Sequence, residues 1–170
     1  MLQRREVPLQ QFAFDPAQLR DNWMVLCAGD FARNDYNAMT ISWGMYGQIW
    51  NRMLFQVLVR PTRYTFEYME RYDTFTLNMF PPVYRPALSI LGSVSGRHED
   101  KIARVHLTPQ ASLAVTAPCF EEASLVLECR KIYWQDLDPQ HFLDPAIEHE
   151  YPRKDYHRLY LGEILKVSMA

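Results

Sequence analysis

Apolar runs of strand length recur along the chain, separated by polar segments that contain Gly or Pro. Residues 23–29 are interpreted as a buried strand, 31–36 as a polar loop and 37–43 as a second strand, which together predict a hairpin. Similar runs predict further strands at 54–59, 75–80, 124–133 and 159–167.

The segments between these strands carry the signals of turns and short helices. Gly44 and Gly47 predict a turn, and Thr62 is a suitable N-cap for a helix over 64–71. Short helices are also predicted at 86–91 and 100–105, with a helical turn at 139–142. At least six strands with irregular connections favour one mainly β domain over residues 1–170, an antiparallel β-barrel with short helices, over a doubly wound sheet.

Composition narrows the classes of function. The chain has 170 residues, which fits one domain. Its 14% aromatic content is typical of a β-rich core or a large aromatic interface. The net charge of −2, from 18 basic and 20 acidic residues, gives no support for bulk nucleic-acid binding.

The cysteines and the apolar stretches indicate a compartment. Cys27, Cys119 and Cys129 show neither CxxC nor metal-ligand spacing, and Cys27 and Cys129 lie in apolar runs, so we expect buried, reduced thiols. Residues 1–12 lack the apolar segment of a signal peptide, and no apolar stretch approaches the ~20 residues of a membrane span. We therefore expect a cytoplasmic protein that is not embedded in a membrane.

Arg60 and Arg63 flank a Pro-Thr pair where an apolar strand ends and a helix is predicted to begin. Backbone N–H groups at a helix start, hydroxyl groups and a guanidinium all favour a bound phosphate. The alternative is a pair of solvated arginines beside a capped helix, and the spacing alone leaves both open.

The second candidate is the strand over 37–43. Its polar side chains either line a ligand or face solvent on an edge strand, and the pattern by itself favours the edge strand. Alternation divides the strand into two faces, one with Ala38, Thr40 and Ser42 and the other with Met39, Ile41 and Trp43.

Two further features complete the candidates. The donor-rich loop over 93–101 would close over an anion or a ring, although a surface loop is the commoner case. His157 would contact a cofactor or donate a proton, or is simply a surface group. The other histidines show no HxxH or HxH spacing, so a metal site has little support. The chain also lacks the GxSxG, P-loop and GxGxxG motifs of serine hydrolases, NTPases and Rossmann domains.

Taken in order, five segments resemble the flavin reductase-like family, whose members bind FMN on a split β-barrel. The resemblance runs from about residue 23 to 167, rests on the ordered set and looks closest to the flavoredoxin-like branch. The stretch from Gly44 to Trp50 departs from the family pattern, because it is longer and more aromatic than in generic members. This departure affects what the resemblance implies about the substrate side of the flavin ring. The segments are NAMTISWG at 37–44, VRPTRYT at 59–65, FTLN at 75–78, SGR with DK at 95–101, and His157 with LGEI at 161–164.

The resemblance implies a homodimer with FMN at the subunit interface, and it assigns roles to residues. His157 matches a family histidine near the flavin, where the nicotinamide stacks, and is the candidate catalytic residue. The ring and ribityl chain are expected to be lined, partly through backbone groups, by Asn37, Ala38, Met39, Thr40, Ile41 and Ser42. Trp43 is also assigned to the cofactor. The phosphate is expected to be surrounded by Arg60, Thr62, Arg63 and Thr65. The loop over 93–101, called the side loop below, is expected to approach the cofactor with Ser95, Arg97 and Lys101.

The function that the resemblance implies is an NAD(P)H-dependent FMN oxidoreductase, in which hydride passes to FMN and electrons move onward. One alternative is a flavoredoxin-like electron carrier with tightly bound FMN, reduced by a redox partner protein. Another is a non-redox flavin-binding protein on the same fold. The electron acceptor, and whether FMN is a prosthetic group or a substrate, stay open at this point.

Overall fold

One large antiparallel sheet organises the protein, described here in a computed structural model over residues 3–170. The strands are β1 Arg5–Glu6, β2 Met24–Asp30, β3 Asp35–Ile41, β4 Gly44–Ile49, β5 Arg52–Val59, β6 Thr74–Met79, β7 Pro109–Gln110, β8 Cys119–Phe120, β9 Leu125–Asp136 and β10 Arg158–Met169. The α-helices are α1 Ala17–Asn22, α2 Tyr64–Arg71, α3 Arg85–Ser93 and α4 Lys101–Arg104, and 3-10 turns occupy Leu9–Gln11, Pro82–Tyr84, Pro139–His141 and Pro145–Glu150. No helix in this part of the chain is long and apolar enough to cross a membrane.

The sheet curls until its two edges approach each other. Its order is β3-β2-β6-β9-β10-β5-β4, with β1 added alongside β10, while β7 and β8 form a separate small pair. The two end strands, β3 and β4, are joined by Ser42 and Trp43 alone. Since so short a link cannot span an open sheet, the edges must meet there, and this confirms the predicted barrel with short helices.

The strand β2 shows why the apolar runs are continuous. Met24, Leu26 and Ala28 pack into the barrel interior, whereas Val25 and Cys27 pack into a second core with α3 and α4. Both faces are therefore buried, and each large apolar side chain contributes about 1.5–3 kcal/mol of burial energy. The predicted burial of the Cys27 and Cys129 thiols is confirmed, and Cys119 is buried and free as well.

The prediction of a turn at Gly44 and Gly47 is wrong. Both glycines lie in β4, and the turn follows at Trp50 and Asn51, whose φ angles are 55° and 57°. Two positive φ values suit a two-residue hairpin loop between β4 and β5. Gly44 is needed for a different reason: a Cβ there would lie 2.6 Å from the backbone oxygen of Gln56 on β5.

The prediction of Thr62 as a helix cap is also wrong, although the helix itself is confirmed. The N-cap of α2 is Arg63 in an extended conformation, and no described side chain caps it. The Thr62 hydroxyl lies 3.4 Å from a carboxylate oxygen of Asp155 instead. The helix predicted near Asp100 does form, and Asp100 caps α4 by accepting hydrogen bonds from two backbone N–H groups.

Candidate functional site

Two adjoining pockets lie beside β3, where the barrel edges meet, and they share Met39 and Arg63 in their walls. The strand pocket, of about 170 Å³, is lined by Met39, Thr40, Ile41, Ser42, Trp43, Leu58, Arg60, Arg63 and His157. The loop pocket, of about 70 Å³, is lined by Met39, Thr62, Arg63, Tyr64, Thr65, Leu91, Ser93, Val94, Ser95 and Lys101. The structure thus brings most of the predicted site residues together from four separate segments.

The loop pocket has the chemistry of an anion site. Two cations, Arg63 and Lys101, line it together with the hydroxyls of Thr62, Ser93 and Ser95, and no acid is among its described lining residues. The uncapped start of α2 also lies in its wall. Uncapped first-turn N–H groups carry partial positive charge and favour a bound anion.

Lys101 is held in this wall by backbone carbonyls. The residue is buried, and its Nζ donates to the carbonyl oxygens of Leu91 at 2.9 Å and Val94 at 3.1 Å. An ammonium has three N–H donors, so one is left after these two bonds. Burial, assisted by the positive charge of Arg63, lowers the pKa of Lys101 to about 8.

The two arginines near the loop pocket are placed differently. Arg63 donates from Nη1 to the carbonyl of Gly92 at 2.9 Å, which leaves most of its five N–H donors available to the pockets that it lines. Arg97 lies outside both sets of lining residues and donates to the carbonyl of Thr62 at 3.2 Å and to Glu67 at 2.5 Å. Arg97 therefore ties the side loop to the start of α2.

Several predicted residues of β3 build the walls rather than offer side-chain donors. Asn37 is buried and donates to Oγ1 of Thr65 at 2.7 Å, which joins β3 to α2. The hydroxyl of Thr40 donates to the carbonyl of Leu88 on α3 at 2.5 Å. Ala38 is buried in the second core, so only its backbone can face a ligand.

Gly96 lets the side loop approach β3 closely. A Cβ at this position would lie 2.3 Å from Oδ1 of Asn37 and 3.1 Å from the ring of Tyr64. The loop therefore depends on glycine to pack over the junction of β3 and α2.

His157 closes the strand pocket on the side of β10. It is buried, its Nδ1 lies 2.8 Å from the hydroxyl of Tyr151, and its ring centre lies 5.3 Å from that of Trp43. Burial lowers the pKa of His157 to about 4, and the charge of Arg60 acts in the same direction. The imidazole is therefore neutral near pH 7.

Arg60 holds the segment that carries this histidine. Its guanidinium forms an ion pair with Asp155 at 2.8 Å, donates to the carbonyl of Glu150 at 2.8 Å and lies 4.9 Å from the ring centre of Tyr151. The charge of Arg60 is thus balanced by an acid on the far side of the pocket wall. The sequence analysis missed Tyr151 and Asp155, and the aromatic and acidic run before His157 was the signal available for them.

Comparison with known proteins decides the family. Residues 21–170 match the model of the flavin reductase like domain. The chain belongs to the flavin reductase-like family. None of the curated proteins matches it significantly.

Solved structures share the fold of this flavin reductase-like chain. An FMN-binding domain of a flavin reductases-like enzyme from Shewanella baltica OS155 is 15% identical, with a TM-score of 0.72 over 98% of this chain and 77% of that one. Flavoredoxin of Desulfovibrio vulgaris (Miyazaki F) is 21% identical, with a TM-score of 0.67 over 87% and 69%. Nitrilotriacetate monooxygenase component B from Bacillus cereus is 16% identical, with a TM-score of 0.68 over 88% and 70%. The predicted family and barrel are thereby confirmed.

Four of the five segments that resemble the flavin reductase-like family contribute to the two pockets, and one does not. The segment at 75–78 lies in β6 at the centre of the sheet, with all four residues buried. Asn78 there donates to the carbonyl of Val25 at 3.2 Å and accepts from the backbone N–H of Phe120 at 3.3 Å. Its role is to join the sheet to the β7–β8 layer.

Proposed function

We propose that this protein is an NAD(P)H-dependent FMN oxidoreductase, with the flavin ring in the strand pocket and the phosphate in the loop pocket. The observation that carries the proposal is the adjacency of the two pockets: a half-apolar pocket and a cationic pocket meet at Met39 and Arg63. FMN has the same two parts, a flat ring and a phosphate, joined by a short polyol.

The donor set fits the phosphate. A dianion is matched by the cations Arg63 and Lys101 and by the start of α2. Charge-assisted hydrogen bonds of this kind are among the stronger polar contacts in proteins. No acid is among the described lining residues of the loop pocket, and the nearby carboxylate of Asp155, 3.4 Å from the Thr62 hydroxyl, is paired with Arg60.

The strand pocket fits the ring. Met39, Ile41, Trp43 and Leu58 offer apolar and aromatic surface. Among the described strands, β3 pairs with β2 alone, so the backbone groups on its other edge are free to hydrogen-bond the polar edge of a ring.

The chemistry that bound FMN would supply is redox chemistry: it would accept a hydride from a nicotinamide and pass electrons onward. The residues of this chain bind and orient the reactants. Arg63 and Lys101 offset negative charge, Trp43 covers part of the pocket mouth, and neutral His157 presents a polar group to the strand pocket.

A second candidate is a flavoredoxin-like electron carrier that keeps FMN bound and is reduced by a redox partner protein. It is favoured by Trp43, which is 42% exposed at the pocket mouth, where a partner protein would approach the ring. A purified protein that retains flavin but oxidises neither NADH nor NADPH would favour this candidate. FMN binding without any redox reaction would favour a non-redox flavin-binding protein.

We also propose a cytoplasmic homodimer with FMN at the subunit interface. The exposed apolar side chains of Met45 and Ile49 on β4, with Trp50 after it, lie close along the chain to the strand pocket and support an interface there. Light scattering of apo and FMN-loaded protein tests this, and a monomer in both states would contradict it.

Replacing Arg63 by alanine tests the cofactor assignment. The loss of charge-assisted bonds worth about 1.5–3 kcal/mol should weaken FMN binding by roughly ten- to 150-fold. Arg20→Ala is the matched control, because Arg20 is exposed on α1 and pairs with Asp21. FMN affinity is measured by fluorescence quenching and turnover by NADH and NADPH oxidation. Unchanged affinity in Arg63→Ala would refute the phosphate assignment, and absence of turnover in the parent protein would refute the reductase.

A further inference from the structure

A buried hydrogen bond joins Tyr151 to the candidate catalytic histidine. The two residues are 4% and 8% exposed, and the Tyr151 hydroxyl lies 2.8 Å from Nδ1 of His157. Tyr151 directly follows the 3-10 turn Pro145–Glu150, and the guanidinium of Arg60 lies 4.9 Å from its ring centre. The tyrosine is thus held by contacts independent of the histidine.

The direction of this hydrogen bond follows from the available partners. Within residues 3–170, the Tyr151 hydroxyl has no acceptor other than Nδ1. Burial raises the pKa of Tyr151, so the phenol keeps its proton at neutral pH. A buried O–H without an acceptor would cost about 1–3 kcal/mol, so the O–H points at Nδ1. A neutral imidazole that accepts at Nδ1 carries its own proton on Nε2.

The Nε2–H group opens onto the strand pocket. Nε2 has no hydrogen-bond partner among the described residues. Every buried polar side-chain atom of those residues does have a partner, so Nε2 cannot be fully buried. Since His157 lines the strand pocket, Nε2 is accessible from that pocket. The charged groups that act on the ring are Arg60, Asp155 and Arg63. Arg60 and Asp155 neutralise each other at 2.8 Å.

We propose that Tyr151 is a positioning residue that holds His157 as a neutral Nε2–H donor beside the flavin ring, so that the site selects a substrate with an uncharged hydrogen-bond acceptor, the carboxamide oxygen of a nicotinamide. This inference rests on the proposed reductase function. The low pKa of His157 supports it, because the ring keeps a single charge state across the physiological range. Trp43, 5.3 Å from the imidazole, offers a neighbouring aromatic surface to the same substrate.

Tyr151→Phe removes the hydroxyl and keeps the ring. The matched control is Tyr156→Phe, which loses a charge-assisted bond to Glu148 at 2.6 Å, while the ring of Tyr156 lies 5.0 Å from that of Tyr151. Nitrogen-15 NMR of the FMN-loaded protein reports the tautomer, with His157→Gln used to assign the signal. We expect a single Nε2–H form in the parent protein and in Tyr156→Phe, and a tautomer mixture in Tyr151→Phe. An Nδ1–H form in the parent protein would overturn the proposal.

Kinetics with NADH and its thionicotinamide analogue test the selected acceptor, because the sulfur of the analogue accepts hydrogen bonds poorly. The ratio of kcat/KM for the two nucleotides should fall about fivefold in Tyr151→Phe, the range of one neutral hydrogen bond. It should stay constant in Tyr156→Phe, and FMN affinity should stay constant in both. An unchanged ratio in Tyr151→Phe would overturn the substrate assignment. If the parent protein oxidises neither nucleotide, the reductase function fails, and the tautomer alone then decides the role of Tyr151.

Discussion

The buried lysine of the loop pocket allows binding and folding to be separated by one substitution. Lys101→Met keeps the length and apolar stem of the side chain and removes its charge. If Lys101 binds the phosphate, FMN affinity should fall by at least about tenfold at pH 7, because a charge-assisted bond contributes roughly 1.5–3 kcal/mol. The stability of the apo protein should change by no more than about 3 kcal/mol, because two terms of opposite sign act on it.

The two opposing terms are the burial of the ammonium and the loss of its hydrogen bonds. The pKa of Lys101 falls from 10.5 to about 8, which corresponds to a cost of about 3 kcal/mol for burying the ammonium at neutral pH. Methionine relieves this cost but leaves the carbonyls of Leu91 and Val94 without their donor. Each orphaned carbonyl costs about 1–3 kcal/mol, so the terms offset each other to within about 3 kcal/mol.

The pH dependence identifies the lysine. Between pH 8 and 10.5 the unfolded chain binds the Lys101 proton more often than the folded chain, so this group makes stability rise with pH. The buried thiols of Cys27 and Cys129 act in the opposite direction above pH 9, because burial raises the pKa of both. The thiols contribute equally in the parent protein and in Lys101→Met, so their effect cancels in the difference between the two free energies of unfolding. That difference should change by about 3 kcal/mol between pH 8 and 10.5.

The assays are urea unfolding of the apo protein at pH 7, 8, 9 and 10, and FMN titration at the same values. In the parent protein FMN affinity should fall as Lys101 loses its proton above pH 8, and in Lys101→Met this component should vanish. Equal FMN affinity in both proteins at pH 7 would refute the placement of phosphate beside Lys101. A stability difference that does not vary with pH would refute the buried ammonium.

Two further predictions concern His157 and Gly96. Burial lowers the pKa of His157 from 6.5 to about 4, so the unfolded chain takes up the proton first as pH falls. The parent protein should therefore lose about 3 kcal/mol of stability between pH 6.5 and 4 that His157→Gln does not lose, as measured by urea unfolding. The same loss of stability in both proteins over this pH range would contradict the neutral buried ring. Gly96→Ala should cost about 1–3 kcal/mol of stability and weaken FMN binding, because the new Cβ meets Oδ1 of Asn37 at 2.3 Å, whereas Gly47→Ala meets nothing within 4 Å and should be near neutral. Equal melting temperatures for the two glycine variants would show that the side loop does not pack as described.

The strands were predictable because their signal is local. A run such as that of β2 is apolar at every position since it faces two cores, and alternation in β3 correctly separated Ala38 from Met39 and Ile41. The glycine at 44 was misread because its requirement is a contact with Gln56 on the neighbouring strand. A short-range pattern cannot distinguish that need from a turn.

The candidate site was predictable in its segments but not in its connections. Arg60 was assigned to the phosphate, and the structure pairs it with Asp155, 95 residues later. Nothing in the local sequence of either residue announces that pairing, because it exists only once β5 and β10 lie side by side. Tyr151 lies only six residues before His157, so the cause there is different: an aromatic residue in a loop gives no sign of the ring to which it will hydrogen-bond.

The two barrel edges, β3 and β4, meet without pairing, and this explains why the pockets lie where they do. A two-residue link such as Ser42 and Trp43 ordinarily joins two paired strands of a hairpin, but β3 pairs with β2 and β4 pairs with β5. Gly44 makes this divergence possible by letting β4 approach β5 at a distance that a Cβ would forbid. The free edge of β3 then offers backbone donors and acceptors that pairing with β4 would have consumed. Substituting Gly44 should therefore disturb ligand binding through the position of Trp43, even though Gly44 itself lines neither pocket.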